Sequence, residues 1–110
     1  MNGKIYFAHG KESGPMGSKI QAMMEVGKSL GFECESPSYE GMDNPDDRVK
    51  KLIKLKPEGN PLILIGSSMG SYISTIASKE IKPDGLFLLA PAFYIPEYPE
   101  QTPIPVAKKT

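Results

Sequence analysis

Leu62-Ile63-Leu64-Ile65 sets four large aliphatic side chains on consecutive positions and stops at Gly66. Successive side chains of a strand point to opposite faces, so a strand made of this run is apolar on both. Such a strand has no face to offer water. It belongs inside a parallel sheet whose crossover helices cover both sides. Lys4-Ile5-Tyr6-Phe7-Ala8 and Leu86-Phe87-Leu88-Leu89-Ala90 have the same character, whereas Phe32-Glu33-Cys34-Glu35 alternates and fits a peripheral strand.

The segments between these runs carry helical spacing. Apolar residues at Met16, Ile20, Met23, Met24 and Leu30 predict a helix from Pro15 or Met16 to Leu30, with Gly31 as its stop. Asn44 as N-cap, Pro45 at the first position and Asp46 and Asp47 in the first turn open a second helix. Its stripe is Val49, Leu52 and Ile53, and Pro57 to Pro61 closes it. A third carries Tyr72, Ile73, Ile76 and Ala77 and stops at Pro83-Asp84-Gly85. Strand and helix thus alternate three times and close on a strand, the pattern of an α/β fold with a parallel sheet between helix layers. Residues 1–92 form this core. Of the 11 Pro, Pro91, Pro96, Pro99, Pro103 and Pro105 lie in the last twenty residues, so 93–110 is expected to be a covering segment or a loose end.

Composition removes several function classes. Thirteen basic side chains balance 13 acidic ones and Arg48 is the only Arg, which argues against nucleic-acid binding through phosphates. One Cys excludes an internal disulfide, and His9 with Cys34 is too small a ligand set for zinc, so no metal is expected. No apolar run approaches the ~20 residues needed to cross a bilayer, and the first residues lack a signal peptide's pattern. A cytoplasmic protein without membrane contact is expected. Cys34 fits a small buried hydrophobe, and Lys50, Lys51, Lys54 and Lys56 fit a solvated helix face.

The chemistry lies in Gly66-Ser67-Ser68-Met69-Gly70, a G-x-S-x-G sequence between the strongest strand and a helix. Such a spacing suits a turn so sharp that the Ser is held in a strained conformation with its hydroxyl exposed. Gly66 and Gly70 let neighbouring backbone approach, and the helix N-terminus favours a developing negative charge. An ordinary turn of small residues would show the same letters, so the position between strand and helix is what favours Ser68 as nucleophile. His9-Gly10-Lys11 ends the first strand at a Gly-rich loop. There the Lys11 N–H, beside that of Met69, is the expected pair of oxyanion donors. His9 is expected to brace the loop by hydrogen bonding rather than to act as general base. Met16, Met23 and Met24 fit core packing or an acyl pocket. Tyr39 and Tyr94 follow strands at the sheet's carboxyl edge and are candidate substrate contacts. A P-loop or dinucleotide fingerprint is absent between Gly10 and Ser18, which disfavours a nucleotide-binding reading.

Together His9-Gly10 and Gly66 to Gly70, in this order, resemble the α/β-hydrolase superfamily and within it small lidless bacterial serine esterases. Pro37 to Pro45 and Leu88 to Phe93 are similar to that group as well. The resemblance implies a three-layer sandwich around a four-stranded parallel sheet of order 2-1-3-4. It places the first helix on one face and the other two on the opposite face. It also implies a serine hydrolase of carboxylic esters or thioesters that needs no cofactor and takes a small-molecule substrate. In that superfamily the acid and the His follow the Ser. No His follows Ser68 here, and the acids beyond the fourth strand are Glu97 and Glu100. The chain therefore looks like the N-terminal part of such a core. Three accounts stay open: a portion of a longer enzyme, a shortened non-catalytic relative used for binding or assembly, or a base supplied by His9, a partner or the substrate. The last strand's outer edge calls for the tail, a second copy or another partner to cover it.

Overall fold

A computed structural model describes residues 2–11, 14–89, 98–100 and 103–110. The apolar runs become β1 (Lys4–Ala8), β3 (Leu62–Ser67) and β4 (Gly85–Leu89), and the alternating one becomes β2 (Glu33–Glu35). The helices are α1 (Ser18–Ser29), α2 (Pro45–Lys54) and α3 (Met69–Ile81). All strand pairs are parallel and the sheet order is β2-β1-β3-β4. α1 begins later than the spacing of Met16 suggests, because Gly14 and Gly17 close a turn ahead of it through the Gly17 N–H and Gly14 C=O. Its end is as read: Gly31 takes a φ of 90° just beyond Leu30. α2 starts at Pro45 with the Asn44 side chain accepting the Asp46 N–H at 2.8 Å.

The two-residue period of the strands divides the core. Tyr6, Ala8, Leu62, Leu64 and Leu86 face α2 and α3 and pack with Val49, Leu52, Met69, Tyr72, Ile73 and Ala77. Ile5 and Phe7 face the other way onto Ile20 and Met24 of α1, with Ile63 and Ile65 beside them. Leu64, Ile73 and Leu86 have no exposed surface, and each such burial is worth about 1.5–3 kcal/mol.

Cover on both faces was expected for the last strand and holds for one face only. Phe87 is 53% exposed and Leu89 37%. The reason is arithmetic of layers: among the described residues two helices lie on one face, while α1 is the one helix on the other and packs toward β2. A cavity of about 560 Å³ remains on that flank, lined by Met23, Val26, Leu30, Ile63, Phe87 and Leu89 among others.

The last residues return along α3. Tyr98 packs on Tyr72 with ring centroids 4.6 Å apart, and the Glu100 N–H donates to Tyr72 Oη at 2.9 Å. The Val106 N–H donates to Ser78 Oγ, and Lys109 forms a parallel bridge with Gly85 at the outer edge of β4.

Candidate active site

Ser68 joins β3 to α3. Its backbone stands at φ 56°, ψ −119°, and the residue is exposed. Positive φ is costly for any residue with a Cβ. Lys56 and Lys82 also adopt it, but they close helices α2 and α3, a common place for left-handed backbone. Ser68 opens a helix instead, and its side chain makes no capping bond to it. The hydroxyl is therefore not spent on the helix it precedes.

Close backbone approach on both sides requires glycine. A Cβ on Gly66 would lie 2.3 Å from Gly70 O, and one on Gly70 would lie 1.8 Å from Ala8 O. The second contact brings the start of α3 against the end of β1. Ala8 and Gly66 are register partners as well, so the His9-Gly10-Lys11 loop and the Ser67-Ser68 turn leave the sheet side by side. The Ser68 N–H donates to Leu89 O at 2.9 Å, and the Ser71 hydroxyl, 2.9 Å from Gly66 O and 3.0 Å from Leu89 O, shares its one proton between them. These bonds anchor the turn to β3 and β4. Met69 is buried by its side chain, with its N–H in the first turn of α3.

His9 is 1% exposed. Its Nε2 accepts the Tyr39 N–H at 2.8 Å, which leaves Nδ1 to carry the proton and donate to Gly10 O at 2.7 Å. Both ring nitrogens thus hold the loop. Gly10 is buried and Lys11 is exposed.

Tyr39 does not fit the role of substrate contact: it has no exposed surface. Its ring lies between His9, with centroids 5.5 Å apart, and the cations of Arg48 and Lys51 at 5.6 and 5.5 Å. Burial drives its phenol far above the usual value, with Arg48 opposing. Its N–H bond to His9 Nε2 draws it into the core beside the end of β1. Tyr94 and Glu97 lie outside the described residues.

Arg48 is the residue that sequence reasoning missed. It is 1% exposed and donates to three main-chain carbonyls, Met42 O at 2.6 Å, His9 O at 3.1 Å and Gly10 O at 3.5 Å. The available signal was its spacing, adjacent to Val49 and one turn before Leu52, on the buried stripe of α2 rather than the lysine face. Of the methionines, Met24 is in the core, Met23 lines the open flank and Met16 is 55% exposed. A cleft of about 230 Å³ lies next to the elbow, lined by Gly17, Ser18, Lys19, Ile20 and Ser67.

No described helix is long and apolar enough to cross a membrane, and no group of three or more metal-ligating side chains occurs among the described residues. The sequence model of the family described as serine aminopeptidase, S33, matches residues 26–110. A solved protein from Xanthomonas campestris pv. campestris, assigned to the alpha/beta superfamily of hydrolases, superposes with a TM-score of 0.80 at 29% identity. That match covers 91% of this chain, which spans 65% of the other protein's length. No curated protein matches. The Ser68 elbow, the sheet order and the family match over 26–110 agree: the chain belongs to the serine aminopeptidase, S33, family of α/β hydrolases.

Proposed function

We propose that the chain carries the nucleophilic half of a serine hydrolase site acting on carboxylic esters or thioesters. The observation that supports this most is the exposed Ser68 at φ 56°, held between two glycines that no larger residue could replace. In this reading Ser68 Oγ attacks the acyl carbon, and the N–H groups of Met69 and Lys11 receive the carbonyl oxygen as it becomes an oxyanion. The alcohol or thiol leaves with a proton, and water releases the acid from the acyl-enzyme. Gly66 and Gly70 shape the nucleophile's turn, and His9 and Gly10 shape the oxyanion loop.

The family's name refers to aminopeptidases, which cleave amides. An amine leaving group needs a general acid to protonate it. The single His of these 110 residues is His9, whose ring nitrogens are engaged with Tyr39 and Gly10. Esters and thioesters, whose leaving groups depart without that protonation more readily than an amine does, are the substrates of this proposal. The triad base takes the Ser proton during acylation as well as during deacylation, so labelling by an excess of a strongly phosphonylating probe, followed to completion, is the sensitive readout.

The test is intact mass after treatment with a fluorophosphonate probe. A single adduct, lost in Ser68→Ala with the fold retained, is expected. An adduct that persists in Ser68→Ala, or none on the unmodified chain, sinks the reading. The open flank of the sheet favours a second reading, a non-catalytic binding or assembly module. It predicts no adduct and a mass in light scattering that rises with concentration.

A further inference from the structure

Arg48 is a buried cation with no carboxylate in contact among the described residues, whose ion pairs are Lys4–Glu35 and Lys108–Asp84. Burial lowers its pKa, with Asp43, Tyr39 and Tyr98 opposing. Taking a guanidinium out of water carries a penalty of several kcal/mol, and an apolar side chain of similar volume would fill the space without it. Packing alone does not account for this residue. Its bonds do: all three go to main-chain oxygens, and two of these belong to the turn that leads into Lys11.

A trans peptide carries its C=O and N–H on opposite sides. Gly10 O and the Lys11 N–H belong to one peptide. His9 Nδ1, at 2.7 Å, and Arg48 Nη1, at 3.5 Å, draw Gly10 O inward, so the Lys11 N–H is turned outward. The 3.1 Å bond from Arg48 to His9 O fixes the preceding peptide in the same way. A cation on the carbonyl side also polarises the peptide and strengthens its N–H as a donor.

We propose that Arg48 is a positioning residue for the oxyanion turn, orienting and polarising the Gly10–Lys11 peptide from behind through its bonds to His9 O and Gly10 O. This rests on the reading of Ser68 as nucleophile and Lys11 N–H as oxyanion donor. Lysine is no substitute, because the planar fork reaches Met42, His9 and Gly10 together and lies over the Tyr39 ring.

The test uses the full chain as Arg48→Met, Arg48→Lys and Arg48→Gln. Hydrogen bonding to a carbonyl deshields the amide nitrogen that follows it. The Lys11 amide nitrogen is therefore expected to move upfield in Arg48→Met, and the Phe87 amide on distant β4 to stay. The maximal rate of fluorophosphonate labelling is expected to fall roughly tenfold, below the 10²–10³ cost of deleting an oxyanion donor outright, with the half-saturating probe concentration unchanged. A purely structural role would lower thermal stability and still move the Lys11 resonance through loss of the bond to Gly10 O, but would leave the labelling rate at the wild-type value. Arg48→Gln keeps a planar N–H donor without the charge and carries the test if Arg48→Met does not fold. An unmoved Lys11 resonance, or labelling as fast as wild type in the folded variants, overturns the proposal while the nucleophile reading stands. No adduct on the wild-type chain overturns both.

Discussion

Ser68 holds a backbone conformation that glycine would adopt without strain. Replacing it therefore separates two effects that usually travel together. Ser68→Ala keeps the Cβ and its strain, whereas Ser68→Gly releases it. In chemical denaturation Ser68→Gly should exceed Ser68→Ala in stability by about 1 kcal/mol or more, even though glycine also gains entropy when unfolded. Both variants should lose the fluorophosphonate adduct. The neighbouring glycines predict the reverse. Gly70→Ala would set a Cβ 1.8 Å from Ala8 O, a backbone atom of a central strand that cannot swing aside. A loss of about 3 kcal/mol or more is expected, seen as a lower denaturant midpoint. A gain in stability, or none lost, would mean that the elbow is looser than described.

Asp84 links three segments at the start of β4. Its Oδ2 accepts the Leu62 N–H at 2.8 Å, its own N–H donates to Leu62 O, and its Oδ1 pairs with Lys108 at 3.0 Å. The Leu62 N–H and then Lys108 hold the carboxyl below its ordinary value. A carboxylate whose folded pKa lies below its unfolded value of about 3.9 stabilises the fold fully above that value. The contribution fades as pH falls through the folded pKa. Asp84→Asn should thus be less stable than wild type at neutral pH and show a flatter stability profile on acidification, followed by circular dichroism. Local chemistry of this kind explains what was legible in the sequence. Consecutive aliphatic residues announced β3, Asn44-Pro45 announced the start of α2, and the glycine spacing announced the Ser68 turn. The burial of Arg48 and Tyr39 was not legible. It arises where the ends of β1, the loop before α2 and α2 itself converge, and the bond from Arg48 to His9 joins residues 39 apart in sequence. Exposure of Phe87 was missed for a similar reason: hydropathy says that a strand seeks cover on both faces, not how many helices are present to give it.

At the scale of the molecule, the sheet is unequally dressed. Val26, Leu30, Phe87 and Leu89 border a flank that stays in contact with water. A hydrophobic dye such as anilinonaphthalene sulfonate should bind the native chain, and Phe87→Ser should weaken its fluorescence without altering fluorophosphonate labelling. Unchanged dye binding would place the exposed apolar surface elsewhere. The same side of the molecule has an edge whose direction is already chosen. Lys109 lies parallel to Gly85, with the Leu86 N–H donating to Lys109 O at 2.9 Å and the Lys109 N–H donating to Asp84 O at 3.1 Å. A two-fold axis that joined β4 to its copy would run the two strands antiparallel. Lys109 occupies the first part of that edge, so such a pairing must expel it and forfeit both bonds. Self-association by the simplest symmetry is thereby taxed at β4, and the edge favours strands that arrive in the direction of the sheet.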